Sequence, residues 1–364
     1  MEIKWHKTFS ERDNLRSDNL LPWNVYQMSA LENRFLIVDE NKCSFTVGEN
    51  KHSFTPTREQ ILDLAEKYPG WDQFLTFQNE GEEQNCLSAK VWNKDGGRAG
   101  NCGNGARCIA KLRMFDVPTK ADMQPSEFII EIESAKPVKT VCVAGYLKKV
   151  RSEFSAARVD AGDIVHKAIA SSDDDDEWPT IKKMSGLKAV AQVTFGNPHL
   201  VLFFDSETAL KQATPQGKKL EEALRHSPSE FYQNGVNISF AHIYSARGDI
   251  EKMGSEARGR IGIKTLERGA NWTRSCGSGA AATYYTALEQ NLLDMENLPK
   301  FSNPHGNFPL NPRHIALKPF GLEIDLNLED GEFDRNAFRA VSGRNGEFYL
   351  IGNTQIERAG TLTL

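Results

Sequence analysis

Short apolar runs separated by polar turns dominate the first half of the chain. Each run has about the length of a buried β-strand, and most are too short for a helix. The predicted strands cover residues 35–39, 73–77, 89–92, 128–132, 140–143, 189–193 and 200–204. Residues 57–68 instead space their apolar side chains at helical intervals behind Thr57, which is a good helix cap. The pattern therefore predicts several buried strands and a capped helix.

Three polar segments fall outside this pattern. Residues 1–24 mix charges of both signs and are interpreted as an N-terminal extension or a weakly ordered arm. Residues 171–177 include four consecutive aspartates, Asp173–Asp176, and a block of like charge is typical of a solvated surface insert. Residues 301–312 contain three prolines, which indicate a second loop.

Two cysteines, Cys102 and Cys276, are each followed by a glycine-rich turn and a helix-like run. The first turn reads Cys-Gly-Asn-Gly and the second reads Cys-Gly-Ser-Gly. Asn93 and Glu267 each lie nine residues before the cysteine of their own segment. Landmarks that recur in the same order indicate an internal repeat. We therefore expect two homologous halves, related by a pseudo-two-fold axis that brings the two turns together.

A thiol at the start of a helix has unusual chemistry. The free N–H groups of the first turn and the helix dipole both favour negative charge there, so we expect a lowered thiol pKa at Cys102 and Cys276. The same N–H groups can hold a carboxylate and stabilise the charge that builds when the adjacent carbon loses its proton. Two such thiols can remove a proton from one side of a carbon and deliver one to the other. The remaining cysteines are interpreted as small buried hydrophobes: Cys43, Cys86, Cys108 and Cys142.

Several polar residues near the predicted strands suit an amino-acid ligand. Arg268 can bind a carboxylate through two hydrogen bonds, and Glu267 can hold an ammonium group. His199 can adjust the proton balance of a nearby thiolate. The neutral hydrogen-bonding candidates are Asn33, Gln73, Asn93, Asn197 and Asn237.

Composition narrows the class of protein. The 364 residues carry a net charge of −5, which argues against a nucleic-acid-binding surface. No apolar run is long enough to span a membrane, and the first residues lack the apolar core of a secretory signal, so we expect a cytoplasmic protein. The six cysteines have neither the spacing of a disulfide framework nor that of a metal site.

These residues resemble diaminopimelate epimerase, within the cofactor-independent amino-acid epimerase and racemase family. The resemblance runs from about residue 26 to residue 352 and is strongest in residues 101–108, 196–199, 234–240, 267–269 and 276–280. It implies an α/β (α+β) fold of two pseudo-symmetric domains, each a β-roll or barrel around a central α-helix, with the site between them. The expected domains are residues 25–147 with about 341–364, and residues 148–340.

The resemblance also implies the chemistry. Cys102 and Cys276 act as a thiolate and thiol pair, with His199 and Glu267 influencing their ionisation. It implies no pyridoxal phosphate, no metal and a homodimer. The partner is then a small-molecule amino acid, with LL- and meso-2,6-diaminopimelate as substrates. The substrate-binding positions it implies are Asn33, Gln73, Asn93, Gly103, Asn104, Asn197, Asn237, Glu267, Arg268, Gly277 and Ser278.

The chain departs from the family pattern beside the site. Glu32-Asn33-Arg34-Phe35 replaces the usual Gly-Asn-Asp-Phe, and Asn271-Trp272-Thr273 replaces the usual Gly-Glu-Thr. These changes leave open a related activity with the same two cysteines, for example a histidine racemase. A non-catalytic binding protein of this fold is a second possibility, and a redox protein that forms a reversible disulfide between the two cysteines is a third.

Overall fold

A computed structural model describes most of the chain. The described residues are 1–9, 23–30, 33–43, 46–47, 50–51, 54–81, 85–100, 102–116, 126–133, 138–147, 152–159, 165–169, 181, 183–195, 197–244, 259–268, 271–273, 276–292, 324–325, 339–342, 348–352 and 354–363. The predicted acidic insert at 171–177 and the predicted loop at 301–312 lie outside them.

The described strands are numbered in chain order. They are β1 (Glu2–Thr8), β2 (Val25–Ala30), β3 (Asn33–Asp39), β4 (Thr46–Val47), β5 (Asn50–Lys51), β6 (Gln73–Asn79), β7 (Cys86–Asn93), β8 (Ser126–Ile132), β9 (Val138–Leu147), β10 (Ser152–Val159), β11 (Val165–Ile169), β12 (Leu187–Phe195), β13 (Asn197–Phe204), β14 (Asn237–Tyr244), β15 (Gly259–Glu267), β16 (Asn271–Thr273), β17 (Ile324–Asp325), β18 (Arg339–Ser342), β19 (Phe348–Gly352) and β20 (Thr354–Thr363).

The described helices are fewer. They are α1 (Arg58–Lys67), α2 (Gly103–Asp116), α3 (Glu207–Ala213), α4 (Gly217–Arg225) and α5 (Gly277–Glu289), with short 3₁₀ turns at Glu40–Lys42 and Thr214–Gln216. All seven predicted strands overlap observed strands, and the predicted helix at 57–68 is α1. Among the described residues, no helix has the length and apolar character needed to cross a bilayer.

The chain divides into two compact units. The described residues of the first unit lie within Met1–Arg158 and Gly352–Leu364, and those of the second lie within Val159–Asn307 and Ile315–Ile351. The division thus falls at 158/159 and 351/352, whereas the boundaries expected from sequence were 147/148 and about 341.

In the first unit the strand order is β1, β20, β2, β3, β6, β7, β8, β9, β10. The described neighbours are antiparallel except for the parallel pairs β3–β6 and β7–β8. Helix α2 contacts five of these strands, so the sheet curls around it. The side chains of one sheet face pack with α2, and those of the other face pack with α1.

The second unit repeats this arrangement. Its sheet has the order β11, β12, β13, β14, β15, β16, and β13–β14 is a parallel pair at the place that corresponds to β3–β6. Helix α5 contacts β12, β13, β14 and β15 and is buried on nearly every side. The other face of the sheet packs against α3 and α4. The predicted fold class, a sheet around a central helix in each of two similar halves, is confirmed.

The first residues of the chain do not form a weakly ordered arm, which was one of the two alternatives for residues 1–24. Glu2–Thr8 forms β1, which pairs antiparallel with β20, and Ile3 is buried. Its other side chains alternate between exposed and partly buried, as expected of a strand at a sheet edge. The polar composition therefore reflects an edge position.

Helix α1 supplies a test of the capping prediction. The hydroxyl of Thr57 accepts a hydrogen bond from the Gln60 N–H at 3.2 Å, and the Gln60 side chain accepts one from the Thr57 N–H at 2.8 Å. We expect Thr57→Ala to lower the free energy of unfolding by about 1 kcal/mol. Thr57→Ser keeps the hydroxyl and should match the wild type in urea denaturation. Equal midpoints for all three proteins would contradict a stabilising role for this cap.

Candidate active site

Cys102 immediately precedes α2, and its sulfur lies beside the first turn of that helix. The Ala106 N–H donates to the Cys102 carbonyl at 2.9 Å, and the Gly105 N–H donates to the sulfur at 3.3 Å. The thiol in turn donates to Gln73 Oε1 at 3.0 Å, and the Gln73 amide donates to Asn93 Oδ1 at 2.9 Å. Gln73 thus contacts the predicted catalytic thiol directly, and Asn93 is connected to the thiol through Gln73.

Cys276 begins α5 with the same geometry. The Ala280 N–H donates to the Cys276 carbonyl at 2.9 Å, and the Gly279 N–H donates to the sulfur at 3.3 Å. The Ser278 hydroxyl lies 3.6 Å from the sulfur. Both cysteines are mostly shielded from solvent, at 8% and 9% exposure. The sequence repeat therefore corresponds to a repeat of atomic geometry.

The strands beside each turn match as well, beginning with the first unit. The parallel pair β3–β6 places Phe35 beside Gln73, and the antiparallel pair β6–β7 places Gln73 opposite Asn93. Paired residues project from the same face of a sheet. Phe35 and its neighbours on this face belong to the core around α2, so Gln73 and Asn93 project toward the α2 side.

The second unit has a corresponding row. The pair β13–β14 places His199 beside Asn237, and the register of β14–β15, continued by one residue, places Asn237 opposite Glu267. His199 therefore occupies the place of Phe35, Asn237 that of Gln73, and Glu267 that of Asn93.

Burial and the Glu267 carboxylate raise the pKa of Cys276, whereas the sequence predicts a lowered pKa. The expectation that a helix start lowers the thiol pKa is wrong here, because burial raises the pKa of Cys276 well above its usual value and the Glu267 carboxylate raises it further. Ser278 and the Gly279 N–H lower this pKa, but by less. Cys276 is therefore a thiol near neutral pH.

Cys102 interacts with a positive charge, whereas Cys276 interacts with the negative charge of Glu267. The Arg107 side chain on α2 is 1% exposed, and its guanidinium donates to Asn104 Oδ1 at 2.7 Å. Burial lowers the pKa of Arg107 to about 10, so it stays a cation near neutral pH, and it attracts negative charge on Cys108 and Cys142 most and on Cys102 as well. The residue at the matching place in the second helix is Ala281. Arg107 was not among the predicted site residues, and no clear sequence signal pointed to it, because α2 contains three other charged residues, Lys111, Arg113 and Asp116.

His199 is fully buried and neutral. Burial, and then the charge of Arg268, lower the pKa of His199 to about 3. Neither ring nitrogen has a hydrogen-bond partner among the described residues. An imidazole that stays neutral has no positive charge with which to favour a thiolate, so any influence of His199 on the proton balance is limited to its dipole.

Three asparagines hold Arg268. Its backbone N–H donates to Asn237 Oδ1 at 2.9 Å, and its guanidinium donates to Asn197 Oδ1 at 2.9 Å and to the Asn234 carbonyl at 3.2 Å. The structure thus brings together three predicted binding residues and adds Asn234. A guanidinium fixed in this way is suited to bind a carboxylate.

The remaining predicted residues lie at element ends. Asn33 begins β3, where it pairs with Ala30, while Gly103 and Gly277 are the first residues of α2 and α5 and are partly exposed. Their N–H groups belong to the first helical turn, where backbone donors lack intrahelical acceptors. They remain candidates for holding a carboxylate.

The four other cysteines divide into two pairs. Cys108 and Cys142 are fully buried as predicted, and burial raises the pKa of each to about 12. Cys43 and Cys86 are only partly buried, so the prediction is wrong for them. Cys86 is the first residue of β7 and Cys43 follows a 3₁₀ turn, and such element ends are more open to solvent than element centres.

Comparisons with known proteins identify distant relatives of this chain. No protein-family model matches the chain. A diaminopimelate epimerase of Caulobacter vibrioides is 28% identical over 290 residues, which cover 74% of this chain and 83% of that protein. One from Ligilactobacillus salivarius is 27% identical over 284 residues, with 75% and 78% covered. One from Rickettsia africae is 26% identical over 292 residues, with 79% and 89% covered.

A solved structure shows the same fold. The structure of a predicted epimerase from Pseudomonas aeruginosa covers 94% of this chain and 100% of its own, with a TM-score of 0.55 and 12% sequence identity. The chain is a distant homologue of curated diaminopimelate epimerases. It is an enzyme of the isomerase class. Together the homologues and the fold support an epimerase or racemase function.

Close packing at Gly105 predicts a destabilising substitution. A Cβ added there would lie 2.5 Å from Leu75 Cδ2 and 3.0 Å from the Cys102 sulfur. Alanine usually stabilises a helix interior relative to glycine, but overpacking should outweigh this and lower the free energy of unfolding by about 1–2 kcal/mol. At Gly103 an added Cβ meets nothing within 4 Å, so Gly103→Ala is the matched control for chemical denaturation. A stabilised Gly105→Ala protein would contradict the packing described here.

The lowered pKa of buried His199 predicts that the folded protein loses stability as the pH falls. Its pKa is lowered from 6.5 to about 3 in the folded protein, so between these values the unfolded chain binds a proton that the folded chain refuses. Stability from this group is therefore lost as the pH falls below about 6.5, by about 1.4 kcal/mol for each pH unit. We expect His199→Phe, which introduces the residue type found at the matching Phe35, to make unfolding free energy measured in urea less steep between about pH 6.5 and pH 4.5. An unchanged slope in His199→Phe would contradict this prediction.

Proposed function

We propose that the chain is a cofactor-independent epimerase that interconverts LL-2,6-diaminopimelate and meso-2,6-diaminopimelate. The observation that carries the proposal is the pair of buried thiols at the starts of two helices, each of which accepts a backbone N–H hydrogen bond at 3.3 Å. Cys102 interacts with the cation Arg107, whereas Cys276 interacts with the carboxylate of Glu267. A two-base reaction needs one thiolate and one thiol, and this arrangement distinguishes the two. The curated homologues carry the same substrate in their names.

In the proposed reaction Cys102 and Cys276 act on opposite sides of the same α-carbon. One thiolate takes the α-proton, which leaves an enolate-like carbanion, and the other thiol donates its proton to the opposite face. The N–H groups of the first helical turns at Gly103–Asn104 and Gly277–Ser278 hold the adjacent carboxylate, where the developing negative charge accumulates. The products are the opposite stereoisomer and an enzyme in which the two sulfurs have exchanged their protonation states.

The base and acid roles of the two cysteines are assigned from the charges near their sulfurs. The buried cation Arg107 favours negative charge on Cys102, and Glu267 disfavours it on Cys276. We therefore assign the base role to Cys102 and the acid role to Cys276. The Cys102 thiol must first release the proton that it donates to Gln73 Oε1.

The far end of the substrate is assigned to the Arg268 cluster. Diaminopimelate has a second carboxylate and a second ammonium group, and Arg268 with Asn197 and Asn237 presents a fixed guanidinium and two amides. Glu267 carries the charge that an ammonium group needs. A substrate with one amino-acid end would leave the guanidinium partly desolvated without an anion, which is costly. The proposal includes a homodimer without metal or cofactor, which rests on the family resemblance alone.

Isotope exchange tests this proposal. We expect wild-type protein in deuterated water to incorporate deuterium at the α-carbon of LL-diaminopimelate, as measured by mass spectrometry, and to leave histidine, glutamate and proline unlabelled. Cys102→Ala and Cys276→Ala should each lower interconversion of the two stereoisomers by more than about 10³-fold, because each removes an acid–base group. Both variants should keep the far-ultraviolet circular dichroism of the wild type.

Two outcomes of this experiment would contradict the assignment. Undiminished turnover in either cysteine variant would exclude the two-base reaction. Labelling of histidine but not of diaminopimelate would keep the mechanism and change the substrate to that of a histidine racemase.

A further inference from the structure

The three-residue strand β16 carries one of the departures from the family pattern. It pairs antiparallel with β15, so that Thr273 lies opposite Thr265, Trp272 opposite Leu266 and Asn271 opposite Glu267. Successive residues of a strand project from opposite faces. Trp272 therefore projects to the same face as Leu266, which packs against α3 and α4, while Thr273 projects to the α5 face, where Cys276 lies.

Trp272 is an anchor on the far face of the sheet. Its indole lies against Gly217, where an added Cβ would be 2.8 Å from Cζ2, and its ring centroid is 5.8 Å from that of Phe240. The Lys264 ammonium lies 5.5 Å from the ring centroid, within the range of a cation–π interaction. These contacts fix the position of a strand too short to be held by its own ladder.

Thr273 makes one strong contact on the other face. Its hydroxyl donates to Glu267 Oε1 at 2.5 Å, within the range of a hydroxyl bond to a carboxylate. Glu267 interacts with Cys276 both through its charge and through a side-chain hydrogen bond. A continuous chain of contacts thus runs from the anchor through Thr273 and Glu267 to the thiol.

We propose that β16 is a positioning element of the site: Trp272 anchors the strand, and Thr273 holds the Glu267 carboxylate against Cys276 and so sets the proton balance of that thiol. Among the described residues of β13, β15 and α5 and directly after them, the other charged or titratable groups include Arg268, His199 and two tyrosines. His199 is neutral near pH 7, and the Arg268 guanidinium is bonded to asparagines. Glu267 is therefore the charge that acts on Cys276.

The test is the pH dependence of Cys276 alkylation by iodoacetamide, with each cysteine resolved by peptide mass spectrometry. Thr273→Val is nearly isosteric but removes the donor, so the carboxylate loses both its fixed position and support for its charged form. Its repulsion of the thiolate then weakens, and Cys276 should react about tenfold faster near pH 8.5, equivalent to one pKa unit. Thr273→Ser keeps the donor and should stay within about twofold of the wild type.

A double-mutant cycle separates this role from a structural one. Glu267→Gln should speed alkylation at least as much as Thr273→Val, and Thr273→Val should add nothing in the Glu267→Gln background. Trp272→Ala should change the profile in the same direction as Thr273→Val. Thr286→Val, the same exchange of hydroxyl for methyl further along α5, should not. An unchanged profile in Thr273→Val, or an equal effect with and without Glu267, would overturn the proposal.

The role of Thr273 rests on the proposed function only in its predicted effect on substrate turnover. Alkylation needs no substrate, so the role of Thr273 is decided even if no amino acid exchanges its α-proton. If exchange occurs, Thr273→Val should change the pH profile of kcat/KM, whereas loss of packing alone would lower the melting temperature and leave that profile in place.

Discussion

The hydrogen bond from a backbone N–H to a cysteine sulfur, made once at the start of each buried helix, constrains the rest of the structure. The sulfur reaches the N–H only if the helix begins at the next residue and if the donor residue lacks a side chain. Beside Gly105 the space is filled by Leu75 and the sulfur itself, and beside Gly279 by the hydroxyls of Thr265 and Ser239. Each helix must also be enclosed by a sheet, because an exposed thiol would be screened by water.

The two units share this scaffold but differ in the charged side chain that acts on the thiol. A buried cation accompanies the first thiol where the second helix has Ala281, and a carboxylate accompanies the second thiol where the first unit has Asn93. Identical backbone geometry would give two equivalent acids. Placing charges of opposite sign at these positions removes the equivalence, so the asymmetry that the proposed proton transfer requires lies in two side chains and leaves the fold unchanged.

Much of the fold was predictable from local patterns. The buried strands and α1 follow from apolar periodicity and a cap, because these signals depend only on neighbours in sequence. Strand β1 was missed because its partner, β20, lies at the other end of the chain and its exposed side chains are polar. The cysteine turns were found because their repeat is visible in sequence. The raised pKa of Cys276 was not predictable, since burial and the approach of Glu267 arise only on folding.

The departures from the family pattern have structural explanations that leave the site intact. Asn271, where the family has glycine, has φ of 69°, a left-handed conformation that asparagine tolerates better than most residues. Trp272 projects away from the α5 face, and Thr273 is unchanged from the pattern and bonds to Glu267. Arg34 is exposed and lies near Glu357, on the opposite side of β3 from Phe35. Because strand residues alternate between faces, the changes at Arg34 and Trp272 lie on the outer faces of their sheets, away from the side chains that surround the thiols.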